Sequence, residues 1–216
     1  MTWTTHIFWS RHLPNRMESH AIVRRQLEDI ALQVSRRPLR VLDCCVGMGE
    51  FLESLEGDSR FECSGIDFDS ACVDEARQHA PSAHIEVADA TAIPPHMKAD
   101  VAVATALIEH VESPVRLLQS MRRAADWALV MTPNLGRPQR TWMAARRQLR
   151  VEPAGHFQGY DRHLLAQVLA NQGWEVQRID ARFVDAPWGS RWLSYGPLLR
   201  AFPWLGSELH ALCRGC

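Results

Sequence analysis

Apolar and polar positions along this chain follow two different periods. Between Met17 and Val34, the residues Val23, Leu27, Ile30, Ala31 and Val34 recur at helical spacing and predict a helix with one buried face. Leu39–Cys45 is a short apolar run that reads as a buried strand ending in an acid, Asp43. A turn with Gly47 and Gly49 follows, and a helix is expected from about Glu50. Phe61–Asp67 is a second strand, also closed by an acid. Asp69 or Ser70 can cap the helix that continues to about His79. His84–Val87 predicts a third strand, followed by Asp89, and Asp100–Ala104 a fourth. Pro114 suits the first turn of a helix reaching about Ala124, and Trp127–Met131 predicts a fifth strand. The alternation stops over residues 135–160. It resumes as a helix from about Arg162 to Asn171 with Gly173 as its stop, then as strands near 175–183 and 208–213.

Strands alternating with helices predict an α/β fold: a doubly wound, mostly parallel seven-stranded sheet with helices on both faces and an antiparallel last strand. One domain covers residues 1–216. We divide it into an N-terminal lid and helix (1–37), a ligand-binding half (38–134) and a substrate-side half with a cap insertion (135–216). Ligands of such sheets bind at the carboxyl ends of the strands. Those ends carry Asp43, Asp67, Asp89 and the Glu109–His110 pair, so the polar residues gather on one rim.

Composition narrows the function. With 46% hydrophobic and 23% charged residues the chain suits a globular fold rather than a disordered one. The net charge of −1 provides no field to draw in nucleic acid, and no apolar run is long enough to span a membrane. No signal peptide is read at the N-terminus, which implies the cytoplasm. Lys98 is the only lysine among 24 basic residues. The six cysteines are expected to be reduced thiols. Cys213-Arg-Gly-Cys216 has metal-like spacing but no second pair, so no metal is expected.

The turn Asp43-Cys-Cys-Val-Gly-Met-Gly49 argues against a nucleotide pyrophosphate. Leu52 stands where a third glycine would be needed, no Walker Gly-Lys-Ser/Thr is present, and Asp43 would repel phosphate. An acid there suits an ammonium group, and Asp67 on the next strand end suits a ribose diol. A ligand with both groups and no phosphate is S-adenosylmethionine.

The chain resembles the class I S-adenosylmethionine-dependent methyltransferases, and among them the small-molecule, ubiquinone-biosynthesis type. Six segments carry the resemblance: Val41–Gly49, Gly65–Asp67, Val87–Ala90, Ile108–Val111, Met131–Asn134, and His156-Phe157 followed by Leu164–Trp174. It implies a Rossmann-like methyltransferase fold and S-adenosylmethionine as cofactor, leaving S-adenosylhomocysteine as product. It places Asp43 near the methionine ammonium, Gly47 and Gly49 close to the cofactor chain, and Asp67 on the ribose. Phe68 would pack on adenine, Asp89 and Ala90 would meet its amino edge, and Ala104 and Thr105 would line the methionine side. Cys45 departs from the family pattern, because it stands where a glycine is usual and would crowd the cofactor.

Methyl transfer needs a positioned nucleophile and no metal. His110 and His156 are the candidate bases. Trp9, His12, Arg140 and Trp142 are the candidate substrate contacts. Glu109 is expected to be solvated or to cap a helix. A small-molecule acceptor, bound by a monomer or homodimer, is the expected function. Its rivals are methylation of RNA or protein, a non-catalytic partner with this fold, and use of the cofactor for another reaction such as cyclisation.

Overall fold

The computed structural model describes residues 13–34, 38–136, 157–182, 202 and 206–216. In chain order the elements are α1 (Leu13–Gln33), β1 (Leu39–Asp43), α2 (Glu50–Glu53), β2 (Phe61–Asp67), α3 (Ser70–His79), β3 (His84–Val87), β4 (Val101–Thr105), α4 (Pro114–Ala124), β5 (Trp127–Pro133), α5 (Arg162–Asn171), β6 (Trp174–Arg182) and β7 (Glu208–Gly215). A single 3-10 turn, Ala90–Ala92, lies between β3 and β4. The seven strands form one sheet in the order β3-β2-β1-β4-β5-β7-β6. The first five pair in parallel, and β7 runs antiparallel to both β5 and β6. The expected architecture is therefore present, and among the described strands β7 alone runs opposite to the rest.

The apolar strand runs follow from burial on both faces. Side chains alternate along a strand, so neighbours go to opposite cores. Val101 and Val103 join Leu39, Val41 and Leu129 under α1, α2 and α3. Ala102 and Ala104 join Leu42, Ala128 and Val130 under α4 and α5. The helical stripe on α1 buries Val23, Leu27, Ile30 and Ala31, as its spacing predicts. On the other face Trp174 is fully buried and donates its indole N–H to the Leu118 carbonyl at 3.2 Å, tying β6 to α4.

Caps stop and start the helices as the sequence indicates. The Asp69 carboxylate accepts from the Ala71 amide at the head of α3. Ser113 caps α4 just ahead of Pro114, and Asp161 caps α5. Gly173 takes φ 78° just past Gln172, the C-cap of α5. The salt bridge Arg40–Asp100, 2.8 Å, locks the amino-terminal edges of β1 and β4, opposite the acid-bearing rim. Among the described residues, no helix is long and apolar enough to cross a membrane.

Candidate active site at the carboxyl ends of the strands

The turn after β1 is threaded between its two neighbours. The Cys44 amide donates to the Val103 carbonyl of β4 at 2.8 Å, and the Val46 amide to the Ile66 carbonyl of β2 at 3.0 Å. Val46 then lies over Gly65, where an added Cβ would come within 2.2 Å of its methyl. Gly47 and Gly49 have φ of 52° and 89°, the left-handed region that glycine enters at low cost. A Cβ on Gly49 would also sit 2.7 Å from the Ala76 Cα of α3. Close packing of the turn on α3 thus requires Gly49, which the sequence argument had linked to ligand approach.

Two carboxylates are buried beneath this turn: Asp43 is 1% exposed and Asp67 is 4%. A buried charge must be hydrogen-bonded to be tolerated. Asp43 accepts from the Cys45 amide at 3.3 Å. Asp67 accepts from the Gly47 amide at 3.0 Å, the Asp69 amide at 3.0 Å and the Cys45 thiol at 3.4 Å. Burial, with Asp67 and Asp43 beside it, pushes the Cys45 thiol well above its ordinary range. It therefore stays a protonated donor rather than a nucleophile. All six cysteines are free thiols, and burial likewise pushes Cys63 and Cys213 up to about 12.

Next to Asp67 the rim turns apolar. Phe68 is 78% exposed, and Val87, across from Asp67 on β3, is 52% exposed. Asp89 caps the 3-10 turn, accepting from the Thr91 amide at 2.8 Å and the Thr91 hydroxyl at 2.9 Å. The buried Ala90 begins that turn.

On the other side of β1, Ala106 follows β4 with φ 48° and donates to the Met131 carbonyl at 3.0 Å. The turn continues to the half-buried His110, whose amide donates to the Leu107 carbonyl at 2.9 Å. Glu109 between them departs from expectation: it is only 1% exposed. Its carboxylate accepts from the Thr132 hydroxyl of β5 at 3.0 Å. Its carbonyl accepts from the amides of Phe157 and Gln158 at 2.9 and 3.3 Å. The 157–160 segment continues across β5, where Tyr160 and Asn134 form a parallel bridge and Tyr160 accepts from the Leu135 amide at 2.8 Å. Burial first, and the Glu109 charge second, push the Tyr160 phenol up to about 12. Glu109 thus ties β4, β5 and the approach to α5 together.

The rim gathers Asp43, Cys45, Gly47, Gly49, Asp67, Phe68, Asp89, Ala90 and Thr105, with His110 on the turn after β4. Ala104, at the same end of β4, has no exposed surface and packs in the core on the α4 side. Trp9, His12, Arg140, Trp142 and His156 lie outside the described residues. So do the other arginines of 137–150 and the tryptophan-rich stretch before β7. Thr132 and Tyr160, and the burial of Glu109 against Thr132, are not legible in the sequence. Only the register of β4 against β5 and the return of residues 157–160 reveal them.

A family model described as a methyltransferase domain matches residues 15–179. The chain belongs to that family. The enzyme is a methyltransferase that depends on S-adenosylmethionine. No curated protein matches the sequence. Solved structures share its fold at low identity. One is a methyltransferase of Thermotoga maritima described as a possible histamine N-methyltransferase. It is 16% identical, with TM-score 0.66, and the match covers 98% of this chain and 95% of that one. Another is the magnesium protoporphyrin IX methyltransferase of Synechocystis PCC 6803 with bound SAH. It is 13% identical, with TM-score 0.66, over 94% and 86% of the two chains. A third is the [4+2]-cyclase SpnF, 17% identical, with TM-score 0.60, over 88% and 80%.

Proposed function

We propose that the methyltransferase moves a methyl group to a small-molecule acceptor bound beside His110. The observation that carries this reading is the composition of the rim. Two buried carboxylates, Asp43 and Asp67, flank a left-handed glycine turn, and exposed apolar side chains stand immediately beyond. That donor set fits the cofactor: carboxylates for an ammonium and a diol, and Phe68 with Val87 for a flat heterocycle. When bound, S-adenosylmethionine supplies a methyl group already activated on a sulfonium.

The chain's own residues supply binding and orientation. Asp67 has three donors already, so ribose hydroxyls would share its remaining lone pairs or displace the Cys45 thiol. Asp43 opposes the positive end of the ligand. The Glu109 linkage holds the turn carrying His110 against β5 and the 157–160 segment. We assign His110 the role of taking a proton from an acceptor hydroxyl or amine as the methyl arrives. The near-zero net charge and the small-molecule names of two structural neighbours support a small acceptor.

Calorimetric titration with S-adenosylmethionine and S-adenosylhomocysteine, followed by a screen of small amines, phenols and carboxylates for a one-methyl mass gain, tests this reading. Binding of both and methylation of a small acceptor support it. Methylation of bulk RNA or protein in place of any small acceptor would sink it.

A further inference from the structure

We propose that His84, Glu86 and His96 form a binding site for a borderline divalent transition ion, with Zn2+ the best match. Its strand residues lie on β3, an edge strand of the sheet, with Glu86 one residue before the rim-side Val87. Residues two apart on a strand face the same way. Buried Ile85 therefore turns His84 and Glu86 outward together. His96 comes from the return loop between the 3-10 turn and β4. That loop is pinned on both sides: the Ile93 amide donates to the Ser120 hydroxyl at 2.7 Å, and Met97 and Ala99 are buried.

One potential ligand atom from each residue lies within 4.8 Å of the other two. The His96 Nε2 is 3.0 Å and 3.1 Å from the two Glu86 carboxylate oxygens. The His84 Nε2 is 3.7 Å from Glu86 Oε2. Donors about 2.0–2.2 Å from a tetrahedral ion lie about 3.3–3.5 Å apart, and the separations of the two histidines from Glu86 bracket that value. Two imidazoles and one carboxylate suit zinc, copper or nickel and are a poor set for magnesium or calcium. All three side chains reach solvent, with exposures of 68%, 26% and 63%, so water can complete the coordination. A bound ion would clamp the loop after Ala90–Ala92 to β3.

The test uses the full chain stripped with a chelator and titrated with Zn2+ by calorimetry. One ion per chain is expected, with a rise in melting temperature on saturation. His84→Ala and His96→Ala should each weaken binding about tenfold or more and abolish the thermal shift. Both residues are on the surface, so the variants should fold. Millimolar Mg2+ should not compete. Cys216→Ser should bind like the wild type. Absent binding, unchanged affinity in both histidine variants, or loss of binding in Cys216→Ser would each overturn the assignment.

Discussion

Asp67 serves three donors with one carboxylate. It holds the glycine turn through the Gly47 amide, and the same oxygen faces the Cys45 thiol. Asp67→Ala should weaken S-adenosylmethionine binding by more than about 1.5 kcal/mol, the scale of losing charge-assisted bonds, as read by calorimetry. Cys45→Gly removes one of the three donors on Asp67 and should leave cofactor affinity equal or tighter. A marked loss would mean that the thiol orders the turn before the ligand arrives. His110→Ala should lower turnover far more than cofactor affinity, because His110 sits on the β4 side and not among the Asp67 contacts. Equal turnover would return it to a structural role.

The turns between elements set where those residues stand. Gly49→Ala would strain a φ of 89° and drive a methyl onto Ala76. We expect a loss of about 2–4 kcal/mol in urea unfolding, combining left-handed strain with overpacking. The buried parallel strands were legible in the sequence because both faces are covered, which makes them short apolar runs, and because caps such as Asp69 bound the helices. Asp43 and Asp67 were legible as acids closing such runs. Glu109 was not. An acid just past a strand reads as solvated, and its burial depends on Thr132 from β5 and the backbone at 157–158, far along the chain. Gly49 was legible as a necessary glycine but for a different reason, since its neighbour Ala76 is supplied by another helix. His84, Glu86 and His96 went unread because the third member arrives from a loop with no periodicity.

At the scale of the whole molecule, charge pairs tie the layers together away from the site. Asp58 is held by hydrogen bonds from Arg60, with Arg24 reaching it from α1, and its pKa is lowered from 3.8 to about 2. A depressed carboxylate stabilises the fold fully above its unfolded value and loses that contribution as pH falls through the folded one. Unfolding free energy measured from pH 5 to pH 2 should therefore decline less steeply in Asp58→Asn than in the wild type. The strand order carries a further consequence, in time rather than space. Among the described residues, β6 has no neighbour in the sheet except β7. As the chain leaves the ribosome, five parallel strands can assemble while β6 waits with its backbone unpaired. Closure depends on an eight-residue strand made later, sliding between β5 and β6. Such a non-local, late step is slow and exposes a strand edge. A released chain truncated between Arg182 and Glu208 should therefore expose the β6 edge and aggregate more readily than the full chain, as read by light scattering.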